Sequence, residues 1–211
     1  MKEGVQKGIT LTEMLVAIVV ASIIVLGAFQ FYYLDNKGFV VQDKVVELQA
    51  SASSAFRIMT DRIVEAGFDP TRSNAISYRF GFVPNIAAFA ALPDQIGAST
   101  ILWTQDDNGN GTVELPEVRG FKFENNRIYQ LGLFGGTSLV WREFIGGIEG
   151  LTLTYYDKNG AVINPLTNFQ DIRRVRVQVV AFKNIQPDPT IPADIYRRTL
   201  SADIIPRNRS F

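Results

Sequence analysis

The sequence predicts an α+β fold in which one long N-terminal helix packs on an antiparallel β-sheet head. Three patterns indicate it: an apolar run over residues 9–34, an amphipathic continuation over residues 39–66, and strand-like alternation after residue 76. An apolar helix of ~20 residues spans ~30 Å, the hydrocarbon thickness of a bilayer. We therefore expect the first half of the helix to be transmembrane.

The second half of the helix carries apolar side chains at gaps of three or four, as a helix with one buried face does. These side chains belong to Val41, Val45, Leu48, Ala52, Phe56, Met59 and Ile63. Since the first proline is Pro70, one unbroken helix over about residues 9–66 is predicted. Gly67 suits the left-handed residue that ends a helix, with Phe68 as its apolar contact. The apolar stripe is predicted to pack on the sheet.

The remaining chain predicts short strands joined by turns. The predicted strands cover residues 99–104, 118–123, 127–131, 138–144, 151–156, 174–179 and 196–205. Turn signals occur at Asn125-Asn126 and at Lys158-Asn159-Gly160. Residues 184–194, which hold three prolines, are predicted to form a surface loop. Short connections of this kind imply an antiparallel sheet with one solvated face.

Composition argues against an enzyme and against a nucleic-acid-binding protein. The 211 residues include 21 basic and 21 acidic side chains, so no overall positive field attracts nucleic acid. The chain has no cysteine and no histidine. Disulfides, thiol and imidazole catalysis and the commonest zinc ligands are therefore excluded.

The apolar run begins with Gly8-Ile9-Thr10-Leu11-Thr12-Glu13 and contains one acid. A carboxylate in hydrocarbon costs roughly 2.5–3.5 kcal/mol on insertion scales, so Glu13 needs a partner or a role. This stretch resembles the processing site of type IV prepilins and type II secretion pseudopilins. The resemblance implies that prepilin peptidase cleaves between Gly8 and Ile9, that Ile9 is then N-methylated, and that Glu13 is needed for assembly. Ile9 departs from the phenylalanine most common in the family.

The chemistry of these residues agrees with that resemblance. Gly8 has no Cβ to obstruct a peptidase at the backbone. Cleavage leaves a charged amine at the end of an apolar helix, and Glu13, one turn away, can neutralise it in its own chain or in a neighbour. The alternatives are a plain membrane anchor and a signal peptide. A signal peptide has a shorter apolar core followed by a small-x-small cleavage site.

Four further stretches of the chain resemble the PilW-like minor pilins or the J-type pseudopilins of type II secretion systems. They lie at residues 54–70, 155–160, 171–180 and 207–208. The resemblance divides the chain into a leader (1–8), a transmembrane assembly segment (9–34), an amphipathic helix (35–67) and a β-rich head (68–211). Two lysines in the leader favour a cytoplasmic N-terminus.

The family resemblance also implies a location and a set of partners. The expected location is the inner membrane, with the head in the periplasm, and then a surface pilus or a periplasmic pseudopilus. The expected partners are other pilin subunits, prepilin peptidase, the membrane assembly platform and, before assembly, the lipid bilayer. A membrane-anchored calcium-binding or adhesive module that never polymerises is the remaining alternative.

Residues 106–117 fit the calcium-loop pattern D-x-[DN]-x-[DN]-G-x5-E at every fixed position. The candidate ligands are Asp106, Asn108, Asn110, Thr112, Glu114 and Glu117, and Gly111 permits the sharp turn. Oxygen donors of this kind favour Ca²⁺ over transition metals. Asn108-Gly109-Asn110-Gly111 is also a strong hairpin turn, and strands rather than helices are predicted to flank the loop. A calcium site, a plain turn and a partner-binding loop all stay open.

Overall fold

A computed structural model describes residues 9–70, 81–87, 92–186 and 194–206. One long helix, α1 (Leu11–Val64), precedes all the strands in these residues. The strands are β1 (Gly81–Phe82), β2 (Thr100–Thr104), β3 (Val118–Glu124), β4 (Arg127–Leu133), β5 (Leu139–Gly146), β6 (Ile148–Tyr156), β7 (Arg174–Ile185) and β8 (Asp194–Ile204). Single 3₁₀ turns lie at Leu115–Glu117 and Phe169–Asp171. The α+β prediction is confirmed, and the arrangement is that of a type IV pilin-like fold.

The helix α1 runs 54 residues without a break, two residues short of the prediction at each end. It ends as predicted, because Gly67 adopts a φ of +77°. Only glycine adopts this left-handed conformation without a steric cost. Phe68, the predicted apolar contact at this end, is 45% exposed, so it is not part of the buried core. Backbone hydrogen bonds fix this end instead: Gly67 N–H donates to the Thr104 carbonyl at 3.0 Å.

The strands form two antiparallel sheets rather than the single sheet that the sequence predicted. One sheet has the order β1-β2-β3-β4-β5, and the other has the order β6-β7-β8. Only Gly147, with a φ of +71°, separates β5 from β6. The chain turns at this glycine, so β5 pairs with β4 whereas β6 pairs with β7.

The hairpin connections are mostly where the turn residues indicated. Asn125 and Asn126 have φ values of 51° and 60°, the pair of positive values that a tight β3–β4 hairpin turn requires. The predicted loop at 184–194 is partly wrong, because Asn184 pairs with Ile195 and Ile185 with Asp194 in the β7–β8 ladder. The prolines of that loop lie outside the described residues.

The core lies between the second half of α1 and the two sheets. Buried helix residues are Leu48, Ala52, Ala55, Met59 and Ile63. All of these except Ala55 pack with the inward-facing side chains of β6 and β7, which include Leu153, Tyr155, Val175, Val177 and Val179. Of the predicted stripe, Val41, Val45 and Phe56 are only partly buried, and Ala55 was missed. The sheet therefore covers only the last third of the helix.

Candidate functional site

Glu13, the acid in the apolar run, is hydrogen-bonded to Thr10 at the start of α1. Thr10 donates to Glu13 Oε2 twice, from its backbone N at 2.9 Å and from its Oγ1 at 2.8 Å. Glu13 N–H donates back to Thr10 Oγ1 at 3.3 Å. This is a capping box, in which residues three apart satisfy each other's free backbone groups at the positive end of a helix. The Thr-x-x-Glu spacing in the sequence is the pattern from which this capping box could have been predicted.

The position of Glu13 relative to the predicted cleavage site follows from this box. Its carboxylate accepts a hydrogen bond from the backbone N–H of Thr10, the residue next to Ile9. An amine at Ile9 would therefore begin one residue from the carboxylate. The other predicted processing residue, Gly8, lies outside the described residues.

The apolar half of α1 is uncovered by the rest of the chain. Every residue from Ile9 to Leu26 is exposed, and so are Phe29, Phe31, Tyr32 and Leu34. By length and composition this helix can cross a membrane, and its most apolar stretch is wholly unburied. A helix like this suits either lipid or the helices of other subunits.

Comparison with known proteins supports one class for this arrangement. Residues 5–29 match the family described as the prokaryotic N-terminal methylation motif. The match spans the expected cleavage position, Glu13 and most of the apolar run, and it supports the type IV prepilin and pseudopilin superfamily. Proteins with this motif are typically structural, are processed by prepilin peptidase and assemble with other pilins. No curated protein matches the chain.

The predicted calcium loop is built around a buried carboxylate, Asp106. Its Oδ1 accepts hydrogen bonds from the backbone N–H groups of Gly109 at 2.7 Å and Asn110 at 3.2 Å. Its Oδ2 accepts from Gly111 N–H at 3.0 Å. Three backbone donors converge on one acid, so Asp106 holds the turn together.

The closing acid of the pattern, Glu117, is also buried and also bound by backbone groups. Its Oε1 accepts from Asp107 N–H at 3.1 Å, and its Oε2 accepts from Glu114 N–H at 2.8 Å. It therefore fastens both ends of the loop to each other.

The side chains at the middle of the pattern face one another. Asn108 Nδ2 and Asn110 Nδ2 donate to Glu114 at 3.3 and 2.8 Å. The Oδ1 of Asn110 accepts from both the N–H and the hydroxyl of Thr112, at 2.8 and 2.7 Å. Within the described ranges, no three acidic side chains converge as a metal site would require. The donor types fit Ca²⁺ and their orientations form a hydrogen-bonded turn, so calcium binding stays a prediction.

The base of this loop also holds the end of α1. Asp106 N–H donates to the Phe68 carbonyl at 2.7 Å, beside the bond between Gly67 and Thr104. The loop at 106–117 therefore connects the helix end to β2 and β3. This role could not be predicted from local sequence patterns, because the two segments are nearly forty positions apart.

Proposed function

We propose that this protein is a non-enzymatic minor pilin, similar to the PilW type, which joins or primes a type IV pilus. The observation that carries the proposal is the match at residues 5–29, with the single acid of the apolar run in the first turn of the helix. A composition without cysteine or histidine is consistent with a structural role.

Before assembly, residues 9–34 would cross the inner membrane, with the leader in the cytoplasm and the head in the periplasm. In that state the capping box offsets part of the cost of a carboxylate in hydrocarbon, because Glu13 already accepts two hydrogen bonds from Thr10. Prepilin peptidase would cleave between Gly8 and Ile9, and the new amine would be methylated.

On assembly, the platform would extract the helix from the membrane, and the exposed apolar half would pack on neighbouring helices. An amine and a carboxylate that are both removed from water are stabilised only as a pair. Glu13 Oε1 has no hydrogen-bond partner among the residues that the structure describes, so it is available to the Ile9 amine of an adjacent subunit. The unbroken helix would then transmit force from the filament core to the head.

A J-type pseudopilin of a type II secretion system carries the same motif and is the second candidate. Deletion of the gene separates the two candidates. If the protein is a type IV minor pilin, its deletion is expected to reduce the number of surface pili. If it is a pseudopilin, its deletion is expected to stop secretion of exported enzymes.

The assembly step is tested with the variant Glu13→Val. The matched control is Asp43→Asn, which changes an exposed acid on the same helix. We expect Glu13→Val to be cleaved normally and to be missing from the sheared filament fraction. Asp43→Asn should be incorporated as the wild type is. Incorporation of Glu13→Val at the wild-type level would exclude the assembly role and favour an anchored module that does not polymerise.

A further inference from the structure

A cavity of about 300 Å³ opens at one end of the three-stranded sheet, beside the turn that follows β6. Its walls are the turn residues 157–160, Arg173 and Arg174 at the start of β7, and Ile205 just after β8. One water molecule takes about 30 Å³ of liquid, so the cavity admits more than a bare ion. It lies outside the helix that the proposed function uses, and none of its walls belongs to the 106–117 loop.

Positive charge exceeds negative charge in these walls. Lys158, Arg173 and Arg174 face a single acid, Asp157. That acid is already engaged, because its Oδ1 accepts from the N–H groups of Asn159 and Ala161, both at 2.8 Å. Lys158 makes no ion pair or hydrogen bond within the described part of the chain.

The two arginines are held in place before any ligand arrives. Arg173 Nη1 donates to the carbonyl of Gln170 at 2.8 Å and to that of Ile172 at 3.2 Å. Its own backbone N–H donates to the Tyr156 carbonyl at 2.8 Å. Side chains fixed in this way lose little further conformational entropy when they bind.

Arg174 is oriented from two directions. Its guanidinium lies 4.2 Å from the centre of the Tyr156 ring, and its Nη1 is 3.4 Å from Asp203 Oδ2. Asp203 is mainly the partner of Arg176, which it contacts at 2.7 and 2.9 Å. Gly160, with a φ of +80°, has no side chain to cover the Nη2 of Arg174. That nitrogen therefore borders the open cavity.

We propose that this cavity binds an oxyanion, a carboxylate or a phosphate group, carried on a molecule with a small apolar part. Guanidinium groups pair with planar carboxylates and with phosphates through two N–H donors, and Lys158 adds a mobile third charge. Ile205, which is 63% exposed, supplies the apolar contact. This inference does not depend on the filament role.

The test is calorimetric titration of the full chain in a nonionic detergent. The probes are inorganic phosphate, the peptide acetyl-Leu-Glu-Leu-amide and its neutral partner acetyl-Leu-Gln-Leu-amide. Lys158→Gln is the test variant, because this lysine is exposed and fixes no other residue. Lys44→Gln on α1 is the matched control.

We expect saturable binding of phosphate or of the glutamate peptide and none of the glutamine peptide. Lys158→Gln should weaken that binding roughly two- to fivefold, the effect of one exposed charge pair, and Lys44→Gln should leave it unchanged. Tighter binding of the peptide would identify a carboxylate ligand, and tighter binding of phosphate a phosphate ligand. The proposal is overturned if neither anion binds, if the neutral peptide binds equally well, or if Lys158→Gln has no effect.

Discussion

Lys183 of β7 donates a hydrogen bond from Nζ to Glu47 Oε2 of α1 at 2.7 Å, across 136 positions of the chain. Lys44 contacts the same oxygen at 3.2 Å. Glu47 lies at the end of the core-facing stripe nearest the apolar half, next to buried Leu48. This ion pair therefore fastens the edge of the head that lies nearest the apolar half of α1 to the helix.

The ion pair predicts a pH dependence of folding stability. Lys183, and after it Lys44, lower the pKa of Glu47 from the ordinary carboxyl value. Because the unfolded chain binds this proton more readily, the contribution of Glu47 is present above the unfolded pKa and is lost as the pH falls through the folded pKa. We expect Glu47→Gln to be less stable than the wild type at pH 7, and we expect that difference to shrink at pH 3, as measured by urea unfolding in detergent.

Asp43→Asn, four residues earlier on the helix, is the control for that experiment. Asp43 is exposed and makes no ion pair within the described ranges. The same difference from wild type at pH 3 and pH 7 for Glu47→Gln would contradict the assigned contact.

The helix is predicted to hold the head through its buried stripe. Ile63 is fully buried among core residues that include Trp103, whereas Ile58 on the same helix is 42% exposed. Removing buried methyl groups costs the transfer free energy and leaves a cavity, so Ile63→Ala should lower the free energy of unfolding by about 2–5 kcal/mol. Ile58→Ala should cost less than about 1 kcal/mol. Tryptophan fluorescence during urea unfolding measures both, and equal losses would show that the stripe is assigned to the wrong face.

Tyr155 is predicted to join the two sheets through its hydroxyl. That hydroxyl lies 2.9 Å from the Gly97 carbonyl and 3.1 Å from the Thr100 carbonyl, at the start of β2. Tyr155→Phe should cost about 0.5–1.5 kcal/mol of unfolding free energy. Tyr156→Phe is the control, because its hydroxyl donates to no group among the described residues.

The same tyrosine adds a prediction for alkaline pH. Burial raises the pKa of Tyr155 well above its ordinary value, so the folded state keeps the proton that the unfolded state releases. Its contribution to stability is therefore full below pH ~10 and falls as the pH rises further. Tyr155→Phe should show a weaker alkaline loss in melting temperature than the wild type, and an identical loss would contradict the burial.

The 106–117 loop is predicted to be stable through its own hydrogen bonds. Asp106→Ala removes three backbone hydrogen bonds, those that Gly109, Asn110 and Gly111 donate to this carboxylate, and we expect it to cost about 1–3 kcal/mol in the presence of a calcium chelator. No loss under those conditions would show that the turn is not held by Asp106.

Calcium binding is measured on the same variants by adding the ion. A calcium-dependent rise in the melting temperature of the wild type, abolished by Glu117→Gln, would establish the site that the sequence predicts. No calcium effect on the wild type would leave the hydrogen-bonded turn as the role of the loop.

Local patterns predicted most of the secondary structure. The helix stripe, the Gly67 stop and the Asn125-Asn126 turn all depend on residues within a few positions of one another. The division into two sheets was not predictable in this way, since it depends on which partner β5 and β6 choose on either side of Gly147. The cavity beside Arg173 was not predictable for the same reason, because Ile205 is brought to it by the pairing of β7 with β8.

The central claim is that the chain enters the pilin pathway through its N-terminus. Its most direct test is the intact mass of the membrane-extracted protein, from cells with and without prepilin peptidase. We predict a mass lacking residues 1–8 and carrying one added methyl group, in cells with the peptidase only. A full-length mass in both strains, or a cleavage after residue 34, would contradict the claim and leave Glu13 without an assembly role.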